Sequence, residues 1–317
     1  MSAAVPGIYP AMPMAEYLAL DALSASPVRV ALEECPRAGW FKSRMNPARV
    51  REESDVMDLG TIAHGILLEG STASVTVINP EDYPTKSSGN IPKGWTNNEI
   101  RAARDYARAN GRQPILRDDF VEVEAMVTVA REFLASLQTT EPAIWKSWQP
   151  DGGKSEVTMV WEDDGVLCKL RCDRIGNDHA IITDYKTTGQ SAEPERFGRA
   201  ALSGLGYGFG AAWYRRGVRA LTGVTPDFVF LAQETSAPFL CSMPGLDPAR
   251  VAYDDERVEV GLNLWRQCLR TGQWDGYANR VVYPELPQWE LAKWQERQAE
   301  THAIPYDVSK LFERSKP

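Results

Sequence analysis

Residues 155–188 read SEVTMVWEDDGVLCKLRCDRIGNDHAIITDYKTT, and the period of this stretch decides the fold. From Ser155 the pattern takes a period of two. Glu156 to Trp161 reads as a strand, Asp163-Asp164-Gly165 as a hairpin turn, Val166 to Ile175 as the returning strand, Gly176 to His179 as a second turn and Ile181 to Lys186 as a third strand. An antiparallel meander is the expected result. Strand side chains alternate between faces, so Asp184 and Lys186 share one face and Tyr185 points to the other. Asp173 precedes Asp184 by eleven residues, a spacing that lets the hairpin set a second carboxylate beside the first. Two carboxylates that close repel each other unless a cation lies between them, and hard oxygen donors select Mg²⁺ or Mn²⁺.

Outward from the meander the pattern is helical. Ala15 to Glu34 is helical material interrupted at Leu23-Ser24-Ala25-Ser26-Pro27, where a serine cap and a first-turn proline start a new helix that Cys35-Pro36 ends. Asp55 to Glu69 reads as a helix containing His64, Val75 to Ile78 as a strand, and Tyr83 to Trp95 as a turn-rich loop. Thr96 and Glu99 form a capping box for a helix to about Ala109. After Asp118 and Asp119, the stripe Val123, Val127, Ala130, Leu134 and Leu137 marks a core-facing helix. Beyond the meander, Glu195 to Gly217 reads as a helix, Phe228 to Leu231 as a strand and Val251 to about Arg270 as a helix. The tail from Gln273, with Trp274, Tyr277, Pro284, Pro287, Trp289 and Trp294, reads as an irregular aromatic lid. The expected class is α/β, a small mixed sheet flanked by helices. It forms one domain: a mainly helical part over 1–150, the sheet and long helix over 151–235, and a helix and aromatic tail over 236–317.

With 43% apolar and 25% charged residues, the 317-residue chain has ordinary globular composition. It has no apolar run long enough for a bilayer and no basic n-region at its N-terminus, so the expectation is a cytoplasmic protein without a membrane partner. The five cysteines, Cys35, Cys168, Cys172, Cys241 and Cys268, are scattered and odd in number, against a disulfide framework. Without CxxC pairs or His clusters a zinc enzyme is disfavoured. Cys168 and Cys172 share a strand face with Val166 and Leu170 and read as small buried residues. A net charge of −8 argues for weak nonspecific binding of polyanions on the outer surface. It leaves room for a locally positive cleft, since part of the acidity would be metal ligand.

The acids and Lys186 fit phosphodiester hydrolysis, which needs an activated water, charge neutralisation at phosphorus and help for the leaving oxygen. On that logic Asp173 and Asp184 hold metal, Glu156 ligates a second metal or its waters, and Lys186 positions the water or the scissile phosphate. His64 lies between Ala63 and Gly65, which leaves its ring accessible, and mid-helix Gly65 suggests close approach of something. Lys169 and Arg171 alternate onto the face of Asp173 and, with Arg174, are candidates to line a DNA channel. Loop residues Lys86 and Lys93 are weaker candidates, and Trp95 near them is an isolated stacking candidate.

The order Glu156, Asp173, Asp184-Tyr185-Lys186 resembles the PD-(D/E)xK nuclease superfamily. The Asp-Tyr-Lys-Thr form resembles its RecE-like (exodeoxyribonuclease VIII) branch of phage or prophage type. Gly60-Thr61-Ile62-Ala63-His64, running on to Leu68-Glu69, is similar to that branch's G-x-x-x-H helix, whose histidine is a metal ligand. Leu23-Ser24-Ala25-Ser26, Gln233-Glu234 through Pro238, and Trp274 with Leu286-Pro287-Gln288-Trp289 resemble further segments of the branch. The likeness departs at the Q-x-x-x-Y pair of the long helix, where Tyr214 is present but Gly210 replaces the glutamine; Tyr207, on the same helix face, is the candidate substitute. The resemblance implies a Mg²⁺-dependent exonuclease with His64 among its metal ligands, resecting double-stranded DNA from 5′ ends, as a ring-like homo-oligomer working with a single-strand annealing protein. An endonuclease of the same chemistry, and a DNA-binding scaffold whose site has decayed, are the alternatives.

Overall fold

The computed structural model describes residues 5–49, 59–85 and 89–303. The chain divides into two compact units, one up to Gly276 and one from Tyr277 on. The first unit begins with β1 (Gly7–Tyr9), α1 (Met14–Ala19), α2 (Ala25–Glu33), α3 (Pro36–Lys42), α4 (Leu59–Glu69), β2 (Val75–Ile78), α5 (Asn98–Ala109), β3 (Gln113–Leu116), α6 (Arg117–Ser136) and α7 (Pro142–Trp148). It continues with β4 (Gly153–Asp163), β5 (Val166–Gly176), β6 (Ile181–Thr188), α8 (Pro194–Phe197), α9 (Tyr207–Thr222), β7 (Asp227–Glu234), β8 (Cys241–Ser242) and α10 (Pro248–Thr271).

Six strands form one mixed sheet in the order β1-β4-β5-β6-β7-β8. β4, β5 and β6 are the antiparallel meander, and β6 pairs in parallel with β7 from Ile181↔Asp227 to Thr188↔Glu234. β6 and β7 are central strands and carry apolar residues on both faces. Ile182, Phe228 and Phe230 join a core with Trp161, Trp213 and Trp265 under α2, α9 and α10. Tyr185 and Leu231 join a second core with Ile62, Ile66, Val123 and Met126 under α4 and α6. Helices on both faces make the α/β architecture anticipated from the sequence.

Several local expectations change. Asn97, one residue after Thr96, caps α5 by accepting from Ile100 N at 2.8 Å. Pro36 opens α3 as well as closing α2, since a helix's first turn tolerates its missing N–H. The helix expected from Glu195 to Gly217 is interrupted: a π-helical turn over Gly198–Gly204 follows α8, and Gly206 at φ 72° restarts the chain as α9. A side chain at 206 would also collide with Arg29, whose Cδ lies 2.6 Å from the Cβ position. Residues 55–58 and Lys86 lie outside the described residues.

Trp274 packs within the first unit, stacked on Trp40 at 4.4 Å and edge-on to Trp265 at 4.8 Å. In the second unit, Gln288–Ala303 forms a helix, α11, where the sequence reads as irregular. The aromatic residues drew that reading, yet the segment is rich in Gln, Glu, Ala, Lys and Arg, all strong helix formers, and Pro287 immediately precedes it. No helix among the described residues is long and apolar enough to cross a membrane.

Candidate metal centre

Strand register builds the site. Ser155↔Arg174 and Val157↔Cys172 are paired, which sets Glu156 opposite Asp173; Arg174↔Thr183 makes the next step of the β5–β6 register Asp173 opposite Asp184. Three carboxylates therefore cross three adjacent strands in one row. The backbone ladder lapses there, and Asp173 Oδ2 accepts the Tyr185 N–H at 2.9 Å. Glu156 has φ 56°, left-handed backbone inside a strand, which costs roughly 1–3 kcal/mol for a side-chain-bearing residue.

α4 supplies the fourth group. Ile62, Ala63 and Ile66 are buried against the second core, and Gly60 lets the helix close on β6. A Cβ on Gly60 would lie 2.1 Å from Thr187 Oγ1. One turn further, His64 Nε2 stands 3.1 Å from Asp173 Oδ2 and Nδ1 3.7 Å from Glu156 Oε1, with its ring stacked on Tyr185 at 5.8 Å. Tyr185 is fixed in turn by donating to Gln233, whose amide donates to Met126 O and Phe239 O. Gly60→Ala is expected to destabilise the fold by about 1–3 kcal/mol through overpacking and to weaken metal binding by displacing His64. Urea unfolding and a Mn²⁺ titration of the same variant check both effects.

Among the described residues, His64, Glu156 and Asp173 can each offer one ligand atom with all three within 4.8 Å of one another. An imidazole nitrogen with two carboxylate oxygens fits a divalent cation. Asp184 lies beside that set: it stands opposite Asp173 on the neighbouring strand, the side-by-side carboxylates the spacing suggests. Lys186, on the same strand face, takes the Asp184 carboxylate at 2.5 Å and reaches Asp173 at 3.7 Å.

These charges shape one another. Burial, reinforced by Asp173, pushes Asp184 up to about 6 against the pull of Lys186. Burial also acts to raise Asp173, but Lys186 and His64 hold it below the usual carboxylate range. Burial raises Glu156. His64 is raised despite its burial because Asp173 accepts its hydrogen bond, and Lys186 is raised despite burial by the two aspartates.

The remaining predicted residues scatter. Lys169 is 2% exposed and donates to Tyr17 O and Leu20 O, so it is part of the packing of the N-terminal segment and does not line a channel. Alternation puts it on the expected face, but α1 and its flanks cover that face. Arg174 donates to Ser147 O and Gln149 O and lies over Trp148, bracing α7. Arg171 sits at the centre itself, donating to the Glu156 carboxylate as well as to Met12 O and Thr158 Oγ1. Its opposite charge on the neighbouring strand was the available signal for that pairing. Lys93 is exposed, and Trp95 carries Arg104 over its ring. Gly65 packs against nothing: a Cβ there would meet no atom within 4 Å. Tyr207, Gly210 and Tyr214 form one face of α9 and, with Asp184 and Lys186, line a cavity of roughly 290 Å³. Lys186 Nζ lies 5.7 Å from the Tyr207 ring centroid.

No curated protein sequence matches the chain. Among solved structures it is similar to a protein from Eubacterium rectale described as a "Putative exonuclease", at 15% identity and TM-score 0.47 over 86% of this chain and 92% of that one. It is also similar to a protein named SSO0001, at 12% identity and TM-score 0.25 over 66% and 87% of the two chains. Residues 26–286, which include α4, strands β4 to β8 of the six-stranded sheet and helices α9 and α10, match one family. The mixed sheet flanked by helices is the PD-(D/E)xK nuclease fold, whose nucleases typically use divalent metal ions, and the chain belongs to the family described as a PDDEXK-like domain of unknown function (DUF3799).

Proposed function

We propose that the protein is a Mg²⁺-dependent deoxyribonuclease that resects double-stranded DNA from its ends, with the 5′-to-3′ polarity of the RecE-like branch it resembles. The observation that carries this reading is the row Glu156, Asp173 and Asp184 across three strands, with His64 at one end and Lys186 at the other. A surface salt-bridge ladder would not bury two of these acids at 9% exposure or less.

His64, Glu156 and Asp173 would hold the ion, and Mn²⁺ would substitute for Mg²⁺. A divalent ion in such a site neutralises phosphoryl charge and makes water acidic enough to attack at neutral pH. Lys186 stays protonated between two aspartates, so it acts as a donor and not as a base: it orients the attacking water or steadies a non-bridging phosphate oxygen. Asp184 orients that ammonium. The cavity beside Lys186, walled by Tyr207 and Tyr214, is the path for the bound strand. A ring-like homo-oligomer in the cytoplasm, supplying 3′ strands to a single-strand annealing protein in recombination, completes the reading by resemblance.

Linear duplex should lose acid-soluble nucleotides in Mg²⁺ and not in EDTA, while covalently closed circles stay intact. Cleaved circles would make the protein an endonuclease; inertness on every DNA would leave the scaffold alternative. Activity should also have an acid limb near pH 6. Asp184 takes a proton as pH falls through about 6, releasing Lys186, and protons compete with the metal for His64, which is also raised. Apparent Mn²⁺ affinity should fall over the same range, and a pH series of rates and titrations checks both.

A further inference from the structure

Arg171 is a buried cation already seated at the metal centre. Its side chain is 10% exposed, its guanidinium donates to Glu156, and Met12 O at 2.7 Å and Thr158 Oγ1 at 3.1 Å hold it from the other side. These contacts come from β4 and from the segment that precedes α1, so the guanidinium is positioned and does not simply lie on a surface. Its carboxylate partner is Glu156. That residue keeps a left-handed conformation inside β4 while one carboxylate oxygen faces His64 and the other faces Arg171.

The charge balance then limits what the centre can hold. Glu156, Asp173 and Asp184 bring three negative charges, while Arg171 and Lys186 bring two positive ones. One divalent ion leaves a single net positive charge, which one phosphodiester cancels. A second ion would add two more positive charges in a low-dielectric site, beside two fixed cations. One oxygen of each flanking acid is also engaged: Glu156 Oε2 by Arg171 and Asp184 Oδ2 by Lys186.

We propose that Arg171 is a positioning residue that fixes Glu156 and acts as a permanent second cation, so that the centre binds one divalent ion per chain. This rests on the metal-dependent reading above and departs from the expectation that Glu156 serves a second metal.

Mn²⁺ binding to the full-length protein, counted by calorimetry and by the loss of the free-ion EPR signal, tests it. The wild-type protein should bind one ion. Arg171→Met, which keeps the apolar stem and removes the charge, should bind two, and Arg171→Lys, which keeps the charge, should return the count to one. Two ions on the wild-type protein, or one ion on Arg171→Met, would overturn the proposal. If Arg171→Met does not fold, the wild-type count decides alone. No ion bound at all would instead sink the metal-dependent reading itself.

Discussion

Asp173→Asn should reduce Mg²⁺-dependent DNA hydrolysis by roughly 10³-fold or more, about 4 kcal/mol of transition-state stabilisation, while leaving the fold intact. Asp173 has two functions that this substitution separates. Its Oδ2 accepts the Tyr185 N–H at 2.9 Å where the β5–β6 ladder lapses, and an asparagine oxygen can accept the same bond. Its negative charge faces His64 at 3.1 Å and Lys186 at 3.7 Å, and asparagine removes that charge. The matching equilibrium measurement is thermal: saturating Mn²⁺ at a hundred times its Kd should stabilise the wild-type protein by about 2.7 kcal/mol and the variant hardly at all. Asp173→Ala is expected to lose stability as well, because it strands a buried backbone donor at a cost of about 1–3 kcal/mol. A wild-type rate in Asp173→Asn would remove Asp173 from the centre.

Lys186→Met should have the second large effect, with a different signature. Methionine fills much of the same volume but takes the cation from between Asp184 and Asp173, leaving two buried carboxylates facing each other. Breaking such a buried pair typically costs about 3–5 kcal/mol. The loss depends on pH in a defined direction. Asp184 is already raised to about 6 with Lys186 present, and without it the native carboxyl holds its proton still more tightly than the unfolded chain does. Native protein then binds more protons than unfolded protein, so the variant's stability falls as pH rises from about 4 through the native value. Denaturant melts at pH 5 and pH 8 should show a larger deficit at pH 8, which added Mn²⁺ partly offsets. Hydrolysis should fall by about 10²–10³-fold, the scale for losing one preorganised donor. Equal deficits at the two pH values would mean that Lys186 does not separate the two acids.

The scaffold was legible because strands announce themselves by period. β4, β5 and β6 carry both turns and the alternation that put Lys186 beside Asp184 and sent Tyr185 to the opposite core. β3, α7 and the break at Gly206 were not legible, since four- and seven-residue elements carry too few turns of pattern and a helix's interruption depends on what crowds it. α11 shows the opposite error, aromatic residues outweighing a run of strong helix formers.

Basic residues were the least readable. Lys169, Arg171 and Arg174 lie on one strand within six positions and look alike as sequence, yet one packs the N-terminal segment, one braces Glu156 and one braces α7. Strand alternation gives the face of a side chain; what covers that face comes from segments far away in the chain.

By itself the sequence determined which acids share a sheet and that Asp184 and Lys186 share a side, because a strand's period is a property of local backbone geometry. Only the tertiary structure decided that His64, on a helix closed onto β6 by Gly60, completes a set with Glu156 and Asp173, and that Asp184 falls to Lys186 instead. Those outcomes depend on interhelical approach and on competition among charges for partners, which are set by packing between segments and not by spacing within one.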